Sequence, residues 1–326
     1  MQYLFGPVLS RRLGLSLGVD LLPSTKVCSM DCIYCECGKT EKRFLTLERK
    51  EWVPTDEVKR ELEELLTKEN FYADYITFSG NGEPTLHSRF GEIARFIKEL
   101  RPDLKLALLT NASTLHLDEV LENLEPFDLI SPSLDAVSES VFKKVNHPAK
   151  GLTVEKILEG LDKLKKTFKG QIWLETLFVK GINDSPEEVE LIGREVHRLK
   201  PDRWQLNTVV RPPAYNVKGL TEEELLAIAR RVNYPKTDIV CYNYLRLEDI
   251  KPLRMEELES KLLETVKRRP SPLEELEVSL NINRETLEEL IEKLQREGKI
   301  EITTFGGKKF ATVKLRNPDV QKKERI

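Results

Sequence analysis

Between residues 15 and 245 the chain repeats one arrangement: a short, almost wholly apolar run, then a stretch with apolar residues every three or four positions. The runs are LSLGVDLL (15–22), YITFS (75–79), LKLALLT (104–110), DLISPSL (128–134), IWLETLFV (172–179), WQLNTVV (204–210) and IVCYNY (239–244). They do not alternate polar with apolar. The strands they predict are therefore covered on both faces, as parallel strands flanked by helices are. The clearest intervening helix carries Val154, Ile157, Leu158, Leu161, Leu164 and Phe168 on one stripe. Capping boxes at Ser185…Glu188, with Pro186 at the first helical position, and at Thr221…Glu224 mark two further helix starts. The pattern predicts a parallel α/β fold, either an open sheet or a full or partial barrel.

Past residue 250 the pattern changes. Leu258, Leu262, Leu263 and Val266 predict one helix, Leu273, Leu276 and Leu280 a second, and Leu287, Leu290, Ile291 and Leu294 a third. A hairpin follows, IEITTF-GG-KKFATV, turning on Gly306-Gly307. Three helices and a hairpin are the layout of a winged helix. The expected organisation is an α/β domain at 1–250, a winged-helix domain at 251–318 and a frayed tail at 319–326. Residues 283–297 hold three basic residues against five acidic ones, and residues 254–326 hold 16 Lys+Arg against 15 Asp+Glu. A groove-binding helix needs a basic face to displace counterions, so DNA is not the expected partner. Lys267, Arg268, Arg269, Lys308 and Lys309 do cluster in sequence, which leaves an RNA-edge contact open beside protein docking or dimerisation.

The whole-chain net charge of −3 does not mark a nucleic-acid binder. No apolar run approaches the ~18 residues a membrane span needs, and MQYLFGPVLSRR has no signal-peptide core. The expectation is a cytoplasmic protein with reduced thiols. That bears on VCSMDCIYCEC (27–37), which holds four of the five cysteines. A structural zinc site takes four ligands, and Cys28, Cys32, Cys35 and Cys37 are enough to supply them; zinc cysteines, however, usually come as two separated pairs. Three cysteines on a short loop suit a [4Fe-4S] cluster whose fourth iron is left open to a small molecule. The loop follows the first predicted strand at its C-terminal end, where α/β folds place their sites. Cys241, inside an apolar run, reads as a buried core thiol.

The spacing Cys28-x3-Cys32-x-Tyr34-Cys35, with an aromatic before the third cysteine, resembles the signature of the radical S-adenosylmethionine (SAM) superfamily. After the next strand, FSGNGEPTLH (78–87) resembles that family's Gly-Gly-Glu-Pro turn, which receives the methionine amino group of SAM. Asn81 stands at the first glycine position, and Asn tolerates left-handed backbone better than most residues. Gly80 and Gly82 flank it and let the backbone approach a ligand.

The resemblance implies a partial (β/α)6-type barrel with Cys28, Cys32 and Cys35 holding the cluster. It implies SAM contacts from Tyr34, Gly80, Asn81, Gly82, Glu83, Asn111 and Ser133, with the Glu83 carboxylate meeting the ammonium. It further implies reductive cleavage of SAM to methionine and a 5′-deoxyadenosyl radical, using one electron from an external donor. Glu175, Asn207 and Arg211, at later strand ends, are the catalytic candidates that would face substrate. Asn111 and Ser133 equally suit turns and helix caps, and Asp135 is as good a cap as a ligand. Glu175 interrupts an apolar run, where an unpaired carboxylate is costly to bury, so a cavity-lining position is expected.

The opening GPVLSRRLGLSLGVDLLPSTKVC (6–28) is similar to a subgroup related to the tRNA wybutosine-synthesis (imidazoguanine-forming) iron–sulfur enzymes, which implies RNA base modification. Those enzymes carry a second cysteine triad. This chain has no cysteine before Cys28 and only Cys37 and Cys241 after Cys35, so a second cluster is not expected. Cys37 is then a bystander thiol near the cluster, or a radical or redox partner. Arg11 and Arg12 meet a phosphate or carboxylate, or pair with surface acids. Two other functions stay open: radical modification or activation of a protein or peptide gripped by the winged helix, and a zinc-stabilised, non-catalytic binding module. His87, His116, His147 and His197 form no ligand spacing and are expected to be structural or surface residues.

Overall fold

The computed structural model describes residues 2–10, 12–69, 71–241, 255–280, 282 and 284–313. Arg11, residues 242–244 of the last expected strand, the 250/251 domain boundary and the tail 319–326 lie outside the described residues.

Two strands missing from or misplaced in the sequence reading frame the sheet. The first, β1 (Leu4–Ser10), pairs antiparallel with β2 (Gly14–Val19). Then come β3 (Tyr75–Phe78), β4 (Leu106–Thr110), β5 (Leu129–Pro132), β6 (Gln171–Phe178) and β7 (Arg203–Thr208), all parallel. A short β8 (Thr237–Ile239) closes the series, starting earlier than its apolar run suggested. Sheet order equals chain order, and among the described residues no pairing joins β1 to β8. The expectation of an α/β fold with a parallel sheet holds.

β5 is buried along its whole length and β4 nearly so, as strands covered on both faces are, whereas β6 alternates buried with half-buried positions. The helices α1 (Thr55–Leu66), α2 (Phe90–Leu100), α3 (Asp118–Leu121), α4 (Glu139–Asn146), α5 (Val154–Thr167), α6 (Pro186–Leu199) and α7 (Glu222–Val232) cover the sheet. Each longer one turns one apolar stripe inward; in α5 that stripe is Val154, Ile157, Leu161 and Leu164. Thr221 makes the expected capping box with Glu224 at the start of α7. Ser185 does cap α6, but Glu188 does not complete a box. Its carboxylate instead accepts from the backbone N–H of Val137 (2.6 Å) and Ser138 (3.0 Å), so a tertiary contact displaced the local one.

The C-terminal unit consists of α8 (Met255–Arg268), β9 (Ser271–Pro272), α9 (Leu273–Leu280), α10 (Arg284–Arg296), β10 (Ile300–Phe305) and β11 (Lys308–Val313). Its three strands form a small antiparallel sheet in the order β10-β11-β9. Gly306 and Gly307 both have positive φ (56° and 77°), the conformation a two-residue hairpin turn requires. The unit has its own core around Leu262, Leu276, Leu287 and Leu294. It docks on β1: Arg268 donates to the Gln2 carbonyl at 2.9 Å and lies over the Phe5 ring at 4.8 Å.

Candidate functional site

The strand polarity brings the C-terminal ends of β2 to β7 to one rim, and a cavity of about 340 Å³ opens there. Cys28, Cys32, Cys35 and Cys37 all line it, on a loop folded back by short-range backbone bonds. Cys35 N–H donates to Cys32 O at 3.1 Å and Gly38 N–H to Cys35 O at 3.2 Å. Burial pushes the Cys28 thiol up to about 11 and raises that of Cys32 as well. Cys35 goes the other way, down to about 5, through its hydrogen bond with Cys37 and the nearby Lys26 ammonium. Cys37 rises in return, through the same hydrogen bond and its own burial. Lys26 is buried; desolvation works against its charge, yet the thiols around it, Cys35 foremost, outweigh that and raise its pKa.

Among the described residues no group of three His, Cys, Asp or Glu side chains is arranged to hold a single metal ion. A cubane cluster asks for something different, one thiolate per iron on sulfurs set further apart. The surroundings of the three sulfurs fit thiolate ligands of such a cluster. Asn111 Nδ2 donates to Cys28 Sγ at 3.5 Å, Asn146 Nδ2 to Cys32 Sγ at 3.4 Å and Lys26 Nζ to Cys35 Sγ at 3.1 Å. All three sulfurs thus meet hydrogen-bond donors that favour the thiolate.

The GNGEP turn lies directly against the cysteine loop. Val27 N–H donates to Asn81 O and Glu83 N–H to Val27 O, both at 3.2 Å. Gly82 has φ +147°, and a Cβ there would sit 1.7 Å from the Val27 carbonyl oxygen, so only glycine lets the two backbones meet. Gly80 has φ +146° and abuts the Asp20 carboxylate. The positive φ values thus belong to the two glycines, and Asn81 is not among the residues with positive φ. The Asn81 side chain instead donates to Ser24 O at 2.7 Å, tying the turn to the chain just ahead of the cysteines.

Glu83 is 1% exposed and lines the cavity. Its Oε1 accepts from Thr85 N (3.1 Å), Thr85 Oγ1 (2.5 Å) and Thr110 Oγ1 (2.8 Å), and its Oε2 from Asn111 N (2.7 Å). Burial raises its pKa, and these donors partly counter that. Asn111 also reaches Ser29 Oγ at 2.9 Å, and Ser133 forms a bridge to Glu175 on the same wall. Tyr34 donates to Asp135 Oδ2 at 2.5 Å, and Asn146 donates to the same oxygen at 2.8 Å. Asp135 therefore anchors the cysteine loop to the end of β5.

Across the cavity, Glu175 accepts from Arg12 Nη1 (2.5 Å) and Asn207 Nδ2 (2.7 Å), and Arg12 also reaches Gln205 Oε1 at 3.1 Å. Arg12 has turned inward to a carboxylate rather than to a surface acid. Arg211 is 6% exposed and ion-paired with Glu36 and Glu275, each at 2.6 Å. Glu275 comes from α9, so the C-terminal unit contributes to this wall, and Arg268 and Arg269 line it too. The structure thus gathers Cys28, Cys32, Cys35, Tyr34, Gly80, Gly82, Glu83, Asn111, Ser133, Glu175, Asn207 and Arg211 around one cavity, with Asn81 behind it. Sequence reasoning missed Lys26, Asp20, Asn146 and Gln205 at this site. Only Lys26, two residues before Cys28, had a positional signal.

Residues 22–192, just over half of the chain, match the model of the radical SAM superfamily. The chain is 31% identical over 325 residues to a UPF0026 protein of Methanocaldococcus jannaschii, covering 98% of each. It is 35% identical over 300 residues to a protein named GTPase Obg of Brachyspira hyodysenteriae, covering 91% of this chain and 43% of that one. Its fold is similar to that of a radical SAM methyltransferase from Sphaerobacter thermophilus, with a TM-score of 0.54 at 15% identity over 69% of this chain and 65% of that one. These matches establish the superfamily rather than the wybutosine-related subgroup. With them the non-catalytic zinc module falls away: the chain belongs to the radical SAM superfamily and is an enzyme that uses a [4Fe-4S] cluster and SAM.

Proposed function

We propose that this protein is a cytoplasmic Fe-S oxidoreductase that cleaves SAM reductively at one rim of a partial (β/α)6-type barrel, and that its substrate is an RNA base. The observation that carries the cleavage site is the convergence of three thiols and the buried Glu83 carboxylate on one cavity, with the Val27 and Gly82 backbones in contact. Cys28, Cys32 and Cys35 would hold the cluster, which when bound supplies the electron that splits the sulfonium and the resulting carbon radical. Glu83 Oε2 takes the ammonium of SAM, while Asn111, Ser133, Tyr34 and the Gly80–Gly82 backbone orient the rest. Buried apolar walls and the docked C-terminal unit exclude water and stray hydrogen donors. Glu175 and Asn207 hold the substrate, and Arg211 fixes the wall behind it.

The resemblance of residues 6–28 to the tRNA-modifying subgroup supports RNA, as do the exposed Lys267, Lys308 and Lys309 on a C-terminal unit that we take to be a winged helix. One observation favours a second reading, a polypeptide substrate. Arg268 and Arg269, two of the five clustered basic residues, face inward to Asp20 and Glu275 rather than outward to a phosphate backbone. After anaerobic reconstitution, 5′-deoxyadenosine release is measured with reductant and SAM, adding total tRNA or protein extract. Stimulation by tRNA alone is expected. Stimulation by protein alone moves the substrate to polypeptide, and no release under any condition refutes the cleavage site.

A further inference from the structure

We propose that Lys26 sets the reduction potential of the cluster, through the positive charge it holds against the Cys35 sulfur. This rests on the reading of Cys28, Cys32 and Cys35 as cluster ligands. Lys26 belongs to neither the cysteine spacing nor the GNGEP turn. Its side chain nevertheless faces the cavity and is 7% exposed. A lysine buried to that degree needs partners for its ammonium. Those here are a ligand sulfur at 3.1 Å and the Gly38 carbonyl oxygen at 2.6 Å.

One electron from an external donor makes the cluster and its thiolates more negative by one unit; no bond forms or breaks. A fixed cation in a water-poor site stabilises the more negative state. Charge and hydrogen bonds at the sulfurs are the protein's means of setting such potentials. Asn111 and Asn146 meet Cys28 and Cys32 as neutral amides and the Cys37 thiol meets Cys35, whereas Lys26 is the cation among the side-chain donors to ligand sulfurs in the described residues. Its removal makes the cluster harder to reduce.

The same contacts also suit a purely mechanical role, in which Lys26 closes the 26–38 loop by holding Gly38. Three variants separate the two roles. Lys26→Gln keeps a donor without the charge, Lys26→Met keeps the chain length without either, and Lys26→Arg keeps the charge. Each full-length protein is reconstituted anaerobically with iron and sulfide and titrated against redox mediators. The reduced cluster is followed by electron paramagnetic resonance.

All four proteins are expected to bind equal iron per chain. At the wild-type midpoint, the Gln and Met variants should show a ratio of reduced to oxidised cluster about tenfold lower, or 59 mV for a one-electron couple. The Arg variant should return to within about threefold of wild type, its guanidinium being charged but differently shaped. A Gln variant that titrates like wild type overturns the proposal, and so does an Arg variant that does not recover. Loss of iron from the Gln variant also overturns it, because that makes Lys26 an assembly residue. A wild-type protein that takes up no iron refutes the cluster reading itself, which is a separate result.

Discussion

Glu275 offers the sharpest test of how the C-terminal unit is held over the cavity. It is 3% exposed on α9, accepts from Arg211 at 2.6 Å and pairs with Arg269. Truncation to alanine strips Arg269 of this carboxylate and leaves Arg211, 6% exposed, with Glu36, whose side chain is 34% exposed. Removing one member of a buried ion pair costs about 3–5 kcal/mol, because the remaining charge stays desolvated. Against a total stability of roughly 5–15 kcal/mol that is a large fraction, and it falls on one interface.

The chain provides its own probes. Trp52, Trp173 and Trp204 all lie in the α/β part, so their fluorescence reports the large sheet, whereas far-ultraviolet circular dichroism reports both parts. In urea, Glu275→Ala should lose helical signal before fluorescence changes, where wild type shows a smaller separation. Pairing Arg211→Met with Glu275→Leu should reveal an interaction energy of about 2–3 kcal/mol in a double-mutant cycle. A Glu275→Ala variant within about 1 kcal/mol of wild type, or strictly additive effects in the cycle, would refute the idea that this network fastens the unit.

Two further outcomes are expected. Burial raises Asp20 to about 6, with Arg268 and the Asn81 and Leu22 N–H groups opposing the shift. A raised carboxyl favours the folded state most below its ordinary pKa near 3.8, and that benefit is lost as pH climbs through about 6. Asp20→Asn should therefore gain stability relative to wild type between pH 4 and pH 8, by up to about 3 kcal/mol in urea melts; a difference that does not vary with pH counts against it. Gly82→Ala places a methyl group against the Val27 carbonyl and should cost about 3 kcal/mol or more and lower iron uptake. A variant that melts and binds iron like wild type would show that the turn has room to shift.

The cysteine loop and the GNGEP turn were legible because each is a contiguous stretch whose spacing is itself the signal. The parallel strands were legible because two-sided burial writes itself as an unbroken apolar run. Strand β1 escaped notice: its run LFGPVLS contains a glycine and a proline, which read as turn signals, and it lies at an antiparallel edge. Local patterns also misjudged Asn81 and Glu188, both taken by tertiary hydrogen bonds. Nor does any pattern show that Asn146 reaches a cysteine 114 positions away, or that Arg211 meets a carboxylate 64 positions on. Such pairings exist only once the sheet has brought distant segments together.

The meeting of Val27 with Gly82 has a wider consequence. Because peptide groups on both sides make the joint, the spacing between the cysteine loop and the GNGEP turn does not depend on which side chains furnish the chamber. Substitutions along the far wall, from Glu175 round to Arg211, therefore leave that alignment in place, and the two ends of the cavity can vary independently.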